Sequence, residues 1–146
     1  MKKKSIEFTL KAEKRDFPIE KISSTQEVYN YARKFYFDDI NIYESVFIIL
    51  LNHAHNTIGY AKISQGGVCS CLVDKKLVVK YAIESLASAV VLVHNHPSGC
   101  LKPSTFDDRL TFDIQNCLNI FDIKFLDHVI ITDNDGYYSY HDEGRL

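Results

Sequence analysis

No stretch of this 146-residue chain approaches the ~20 consecutive apolar residues that a membrane-spanning helix needs. A helical membrane protein is excluded on that ground, and no membrane partner is expected. The first ten residues, MKKKSIEFTL, carry lysines but no apolar core and no small-residue cleavage site, so no secretory signal is expected. The four cysteines, Cys69, Cys71, Cys100 and Cys117, form no CxxC pair. Free thiols in a reducing cytoplasm are the plain reading. A strong excess of charge is also missing. Seventeen Lys and Arg face nineteen Asp and Glu, a net charge of −2, so bulk electrostatics do not announce a nucleic-acid partner. The charge is unevenly spread. Residues 1–21 hold seven basic and four acidic residues, net +3, which leaves −5 for the remainder. Both a DNA-touching arm and an ordinary solvated tail fit that pattern.

What is present is ordinary for a globular chain. The length fits one domain, and the composition is 46% hydrophobic and 25% charged. Ser24-x-x-Glu27 reads as a capping box that opens a helix over residues 25–37, with Val28, Tyr31, Ala32 and Phe35 at helical spacing. ESVFIILLN and TIGYAKIS read as a hairpin around the turn-like HAHN, broken after Gly66-Gly67. VCSCLV reads as a further short strand. Asp74 is placed to cap a helix in DKKLVVKYAIESLAS, with Leu77, Val78, Tyr81 and Ala82 on one face. SAVVLV is a continuous apolar run, as in a strand covered on both sides. A helix from about Ser104 to Leu118 follows, with Leu110, Ile114, Cys117 and Leu118 inward. FLDHVIIT, the turn DNDG and YYSYH then suggest a closing hairpin. The expected fold is a single α/β domain with a mixed β-sheet and packed helices.

The loop HNHPSGCLKPSTFDD, residues 94–108, is the candidate for chemistry. In an α/β fold the C-terminal end of a buried strand opens on the crevice where ligands bind. His94 and His96 stand there, and i, i+2 spacing puts both imidazoles on one side of an extended backbone. Two imidazoles so placed can share a metal ion, and zinc favours them. Pro97, Gly99 and Pro103 turn and stiffen the loop, which lets Asp107, in the first turn of the next helix, fold back as a third ligand. A fourth position would hold water, whose pKa falls to about 7 on zinc. The Ser104 hydroxyl is placed to stabilise a developing oxyanion, although Ser104-x-x-Asp107 also reads as a helix cap; the two roles are compatible. Zinc deaminases are excluded because position 96 is His rather than Glu. The letters HNH do not make a nuclease motif. A second His-x-His, His53 and His55, falls in the expected hairpin turn without an acidic or cysteine partner and reads as solvent-exposed.

The spacing of His94, His96, Ser104 and Asp107 resembles the metal motif of the JAMM (JAB/MPN) metalloproteases. HNHPSG, KPS, the following Asp and Thr111, LDHVII at 126–131 and YYSYHDEG resemble the RadC-like branch. The resemblance covers about 40–146, which divides the chain into an N-terminal basic arm and helix at 1–39 and a RadC-like domain at 40–146. It implies a cytidine deaminase-like fold, a zinc ion on His94, His96, Asp107 and water, oxyanion stabilisation by Ser104, and hydrolysis of a peptide or isopeptide bond in a protein substrate. It also carries an old DNA-repair label. Two departures stand out. Longer RadC-like proteins have an N-terminal helix-hairpin-helix, for which the residues before 40 offer no GxG-type turn. The family also uses an upstream glutamate as general base. It is expected on the strand before the Gly turn, where this chain has Ala61 and Lys62, with the amide Gln65 nearby. Glu44 replaces that base if its side chain points toward the metal; otherwise it is a solvated strand-end residue. Glu84 reads as surface. His128 is either a partner for the far nitrogen of a ligand histidine or a satisfied core residue. Two functions follow: a zinc metallohydrolase, or a metal-bearing module that binds protein or DNA with little or no catalysis. A purely structural zinc is a third, minor reading.

Overall fold

The computed structural model describes residues 12–13, 17–36, 38–66 and 72–146. Most of the basic arm, Cys69 and Cys71, and the first four residues of VCSCLV lie outside the described residues.

Among the described residues, three helices and five strands follow in order, with one short 3-10 turn, Asp38–Asn41. They are α1 (Thr25–Ala32), β1 (Ser45–Leu51), β2 (Thr57–Gln65), α2 (Lys75–Glu84), β3 (Ala89–Asn95), α3 (Thr105–Asn119), β4 (Lys124–Ile131) and β5 (Tyr137–Ser139). The strands form one mixed sheet in the order β2-β1-β3-β4-β5, in which only β3 and β4 run parallel.

Strand alternation sorts the apolar side chains onto two faces. Phe47, Ile49, Leu51, Val91, Val93, Val129 and Ile131 pack under α1. Val46, Ile48, Leu50, Val90 and Leu92 pack under α2 and α3, against Val78, Ala82, Leu110, Ile114 and Leu118. Every residue of β1 and β3 is buried, as the unbroken apolar runs require. Each fully buried Val, Leu or Ile contributes roughly 1.5–3 kcal/mol, so the central strands are a stiff platform for whatever stands at their ends.

Three details depart from the sequence expectations. The first helix stops at Ala32 rather than continuing to 37; the Lys34 and Phe35 amides bond three residues back, and the chain turns so that Phe35 and Tyr36 enter the core. Tyr36 donates its hydroxyl to the Ser45 carbonyl at 2.7 Å, which fixes the approach to β1. Leu77 is exposed, because α2 turns only a narrow stripe through Val78 and Ala82 onto the sheet. In β4, Val90 opposes Phe125 but Val91 opposes Asp127, so Leu126 is an extra residue. Phe125 lies on the α3 face, and the insertion brings His128 onto that face too, with Asp127 left facing α1.

Candidate metal centre

Register brings the site together. On β3, residues 90 and 92 face α3, and His94 continues that series. β1 runs antiparallel to β3 with Val46 opposite His94 and Val46 on the same face. Two residues further out, that pairing sets Glu44 across from His96. Helix α3 then lays its first turn over the ends of both strands. Its capping box holds Asp107 in place: the Ser104 amide and hydroxyl both donate to Asp107 Oδ2, at 2.7 and 2.8 Å, and the Asp107 amide donates to Ser104 Oγ at 3.1 Å.

Glu44, His94, His96 and Asp107 each place one ligand atom within 4.8 Å of the other three. His94 Nε2 lies 2.8 Å from His96 Nε2, 3.2 Å from Asp107 Oδ1 and 3.9 Å from Glu44 Oε1; His96 Nε2 lies 3.4 Å from Asp107 Oδ2. His94 and Asp107 are buried, whereas His96 and Glu44 are part-exposed and form the open rim.

The donor set fits a cation. His96 Nδ1 sits 2.7 Å from the Cys100 carbonyl, which can only accept, so the neutral ring carries its hydrogen there and turns a bare Nε2 inward. Two imidazole nitrogens face each other at 2.8 Å beside two carboxylates, an arrangement that a shared cation satisfies. Imidazole and carboxylate donors together suit zinc. Burial opposes the charge on Asp107, but hydrogen bonds and attraction from His94 and His96, with the Ser104 amide, hold its carboxyl far below the usual range. Burial likewise opposes a charged His96, yet Asp107 and the Cys100 carbonyl outweigh it and raise that imidazole above its ordinary value. His128 is fully buried; desolvation first, and then His94, keep it well below its ordinary value and therefore neutral.

The structure brings together His94, His96, Asp107 and Glu44, and sets Ser104 beside Asp107. Glu44 stands just before β1, part-exposed, with its carboxylate turned toward the histidines. The Ser104 hydrogen is committed to Asp107 Oδ2, so Ser104 is a cap here and reaches an oxyanion only after rotating. The strand position expected for a family base is empty of one. Ala61 and Lys62 oppose Ile48 and Phe47, inward of the site, and Lys62 is exposed, bonded to Gln65. Glu84 is on the surface, and so is His53, with His55 half-buried. His128 is both a buried residue and a hydrogen-bond partner of His94, Nε2 to Nδ1 at 2.6 Å.

Sequence reasoning overlooked Asn95. Fully buried, it accepts from the Ser45 amide at 2.8 Å and donates to the Ile40 and Tyr43 carbonyls, at 2.5 and 2.8 Å. It ties the segment carrying Glu44 to the strand carrying His94 and His96. A polar residue amid a buried apolar strand was the available signal.

Comparison with known proteins agrees with this architecture. The RadC-like JAB domain matches residues 22–145. A protein named "UPF0758 protein" from Flavobacterium johnsoniae is 42% identical over 102 residues, covering 70% of this chain and 44% of that protein. Proteins of the same name from Porphyromonas gingivalis and Chlorobaculum parvum are 39% and 32% identical, covering 70% and 86% of this chain and 45% and 55% of theirs. The chain thus spans about half the length of the curated relatives it matches. With its five-stranded mixed sheet, three helices and a His/Asp/Glu cluster able to hold a metal ion, the chain belongs to the family of RadC-like JAB domains.

Proposed function

We propose that this chain is a zinc-dependent hydrolase of a peptide or isopeptide bond in a protein substrate. The observation that carries the proposal is the place of Glu44: a part-exposed carboxylate 3.9 Å from His94 Nε2, at the open rim that it shares with His96 beside the buried His94 and Asp107. His94, His96 and Asp107 would hold the ion. Zinc supplies a Lewis acid that polarises a carbonyl and acidifies water. Glu44 accepts the proton of the attacking water and returns it to the leaving nitrogen, a role typically worth ~10²–10⁴-fold. Asn95 keeps Glu44 at that rim. Ser104, by rotating its hydroxyl away from Asp107, donates to the carbonyl oxygen as charge builds there, while its backbone amide continues to hold the carboxylate.

The test is metal analysis of the purified chain followed by cleavage of a peptide library with and without a chelator. About one zinc per chain and chelator-sensitive cleavage are expected, and Glu44→Gln should keep the zinc while losing ~10²–10⁴-fold in rate. A metal-free protein, or cleavage indifferent to chelator, refutes the proposal. Bound zinc with no cleavage favours the second reading, a metal-bearing module for protein or DNA. Its DNA form predicts salt-sensitive binding that is lost on deleting residues 1–21.

A further inference from the structure

A buried polar chain behind the cluster has no part in the chemistry above. Thr111 Oγ1 lies 2.7 Å from the Asp107 carbonyl oxygen, one helical turn back, and 2.6 Å from His128 Nδ1. His128 Nε2 lies 2.6 Å from His94 Nδ1. A carbonyl only accepts, so the single hydroxyl hydrogen of Thr111 is spent on Asp107. Thr111 then offers His128 a lone pair, and His128 Nδ1 must carry the hydrogen. His128 is fully buried and neither partner is a carboxylate, so its ring is neutral, with one N–H and a bare Nε2. That bare nitrogen accepts from His94 Nδ1, which leaves the His94 Nε2 lone pair facing Glu44, His96 and Asp107.

We propose that Thr111 and His128 are positioning residues that fix the tautomer of His94 and so keep its Nε2 available to a metal ion. The proposal rests on the metal-binding reading above. Its force comes from the competing tautomer. With Asp107 Oδ1 only 3.2 Å from Nε2, a metal-free His94 would gain by carrying its hydrogen on Nε2 and donating to that carboxylate. The bare Nε2 of His128 opposes this, because the alternative would set two lone pairs face to face at 2.6 Å inside the core. Tyr140 holds the plane of His128: the rings stack at 4.9 Å and 5°, and the Tyr140 hydroxyl is anchored on Asp108 at 2.7 Å. The chain starts at the backbone of Asp107 and ends at His94, so both ends belong to the cluster they prepare. His96 has a simpler device, one bond to a loop carbonyl.

Nitrogen-15 NMR of the full chain, labelled at histidine and recorded metal-free and zinc-loaded, distinguishes the tautomers directly. Nδ1–H is expected on both His94 and His128 in both states. Thr111→Val keeps the side-chain shape but removes the acceptor. His128 should then carry its hydrogen on Nε2, and zinc affinity, read by competition with a chromogenic chelator, should fall ~10–100-fold. Thr111→Ser should restore both. Nε2–H on His128 in the unaltered protein overturns the proposal without recourse to any variant. So does a folded Thr111→Val that binds zinc as tightly as the parent. The stated tautomers in a chain that binds no zinc would overturn the metal reading and leave the relay standing.

Discussion

The chain contains two His-x-His sequences, and the structure makes a site of only one. His94 and His96 extend a buried strand, so their side chains keep its alternation and fall on the face that α3 covers. His53 and His55 sit in the β1–β2 turn, where His55 adopts φ +60° and alternation is lost. That turn is organised by Asn52, whose side chain accepts from the Ala54 and Asn56 amides, and by the Ile22 amide donating to the His55 carbonyl. His53 and His55 line a cavity of about 240 Å³ with Ser88, Asp122 and Lys124, below the ~300–1,000 Å³ usual for ligand pockets. Among the described residues, only the group at the other end of the sheet brings ligand atoms within 4.8 Å of one another. Identical spacing therefore has different meaning on a strand and in a turn. Two imidazoles share an ion only where the backbone is extended and a second element supplies carboxylates.

The comparison breaks most sharply if zinc prefers the turn. Asp107→Ala should reduce the bound metal from about one per chain to none, and cost a further ~1 kcal/mol through the lost cap. Metal analysis and thermal unfolding read both, and zinc retained in that variant but lost once His53 and His55 are also replaced would point to the other histidine pair.

Asn95→Ala should have the next largest effect. It leaves the Ser45 amide and the Ile40 and Tyr43 carbonyls without their partner, at ~1–3 kcal/mol for each group that water cannot reach. Urea unfolding should show that loss, while zinc binding survives because His94, His96 and Asp107 are held by other contacts. Loss of metal in a folded Asn95→Ala would show that the strand end itself depends on this side chain.

A smaller effect belongs to Asp127, the bulge-displaced carboxylate on the face opposite His128. It accepts from Ser139, Thr25 and the His141 amide. Burial raises its carboxyl above the ordinary value, and those hydrogen bonds offset only part of the shift. The folded chain thus keeps this proton at a pH where the unfolded chain has released it. The stabilisation is complete below the unfolded pKa and is lost as pH rises through the folded one. Relative to Asp127→Asn, the parent should lose stability as pH rises above the ordinary aspartate range, measured as the change in their urea midpoints. A difference independent of pH would show that Asp127 is ionised in both states.

The smallest effects should lie at the turn. His53→Ala with His55→Ala should leave zinc stoichiometry unchanged, and His55→Gly, relieving a left-handed backbone, should raise stability by no more than ~1 kcal/mol. Zinc lost from the double variant would join the two ends of the sheet in one function.

Much of this was legible in the residues. The apolar runs of β1 and β3, the Ser24 and Ser104 caps, and the carriage of His94 and His96 at a strand end all follow from local periodicity and turn chemistry. Helix α1 was overextended because Phe35 keeps helical spacing while entering the core from a turn. Glu44 was legible as a candidate but not as a neighbour. Its proximity depends on the antiparallel register that sets Val46 opposite His94, and a sequence does not state which strands pair.

The sequence by itself determined where the central strands and the helix starts fall and which short loop is rich in metal-binding groups, because those preferences act over a few residues. Only the tertiary structure decided that Glu44 meets His96, that an extra residue in β4 brings His128 behind His94, and that Asn95 fastens the Glu44 segment to β3. Those contacts join positions 34 to 55 residues apart. Strand register and the packing of α3 across the sheet create them, and no local rule contains either.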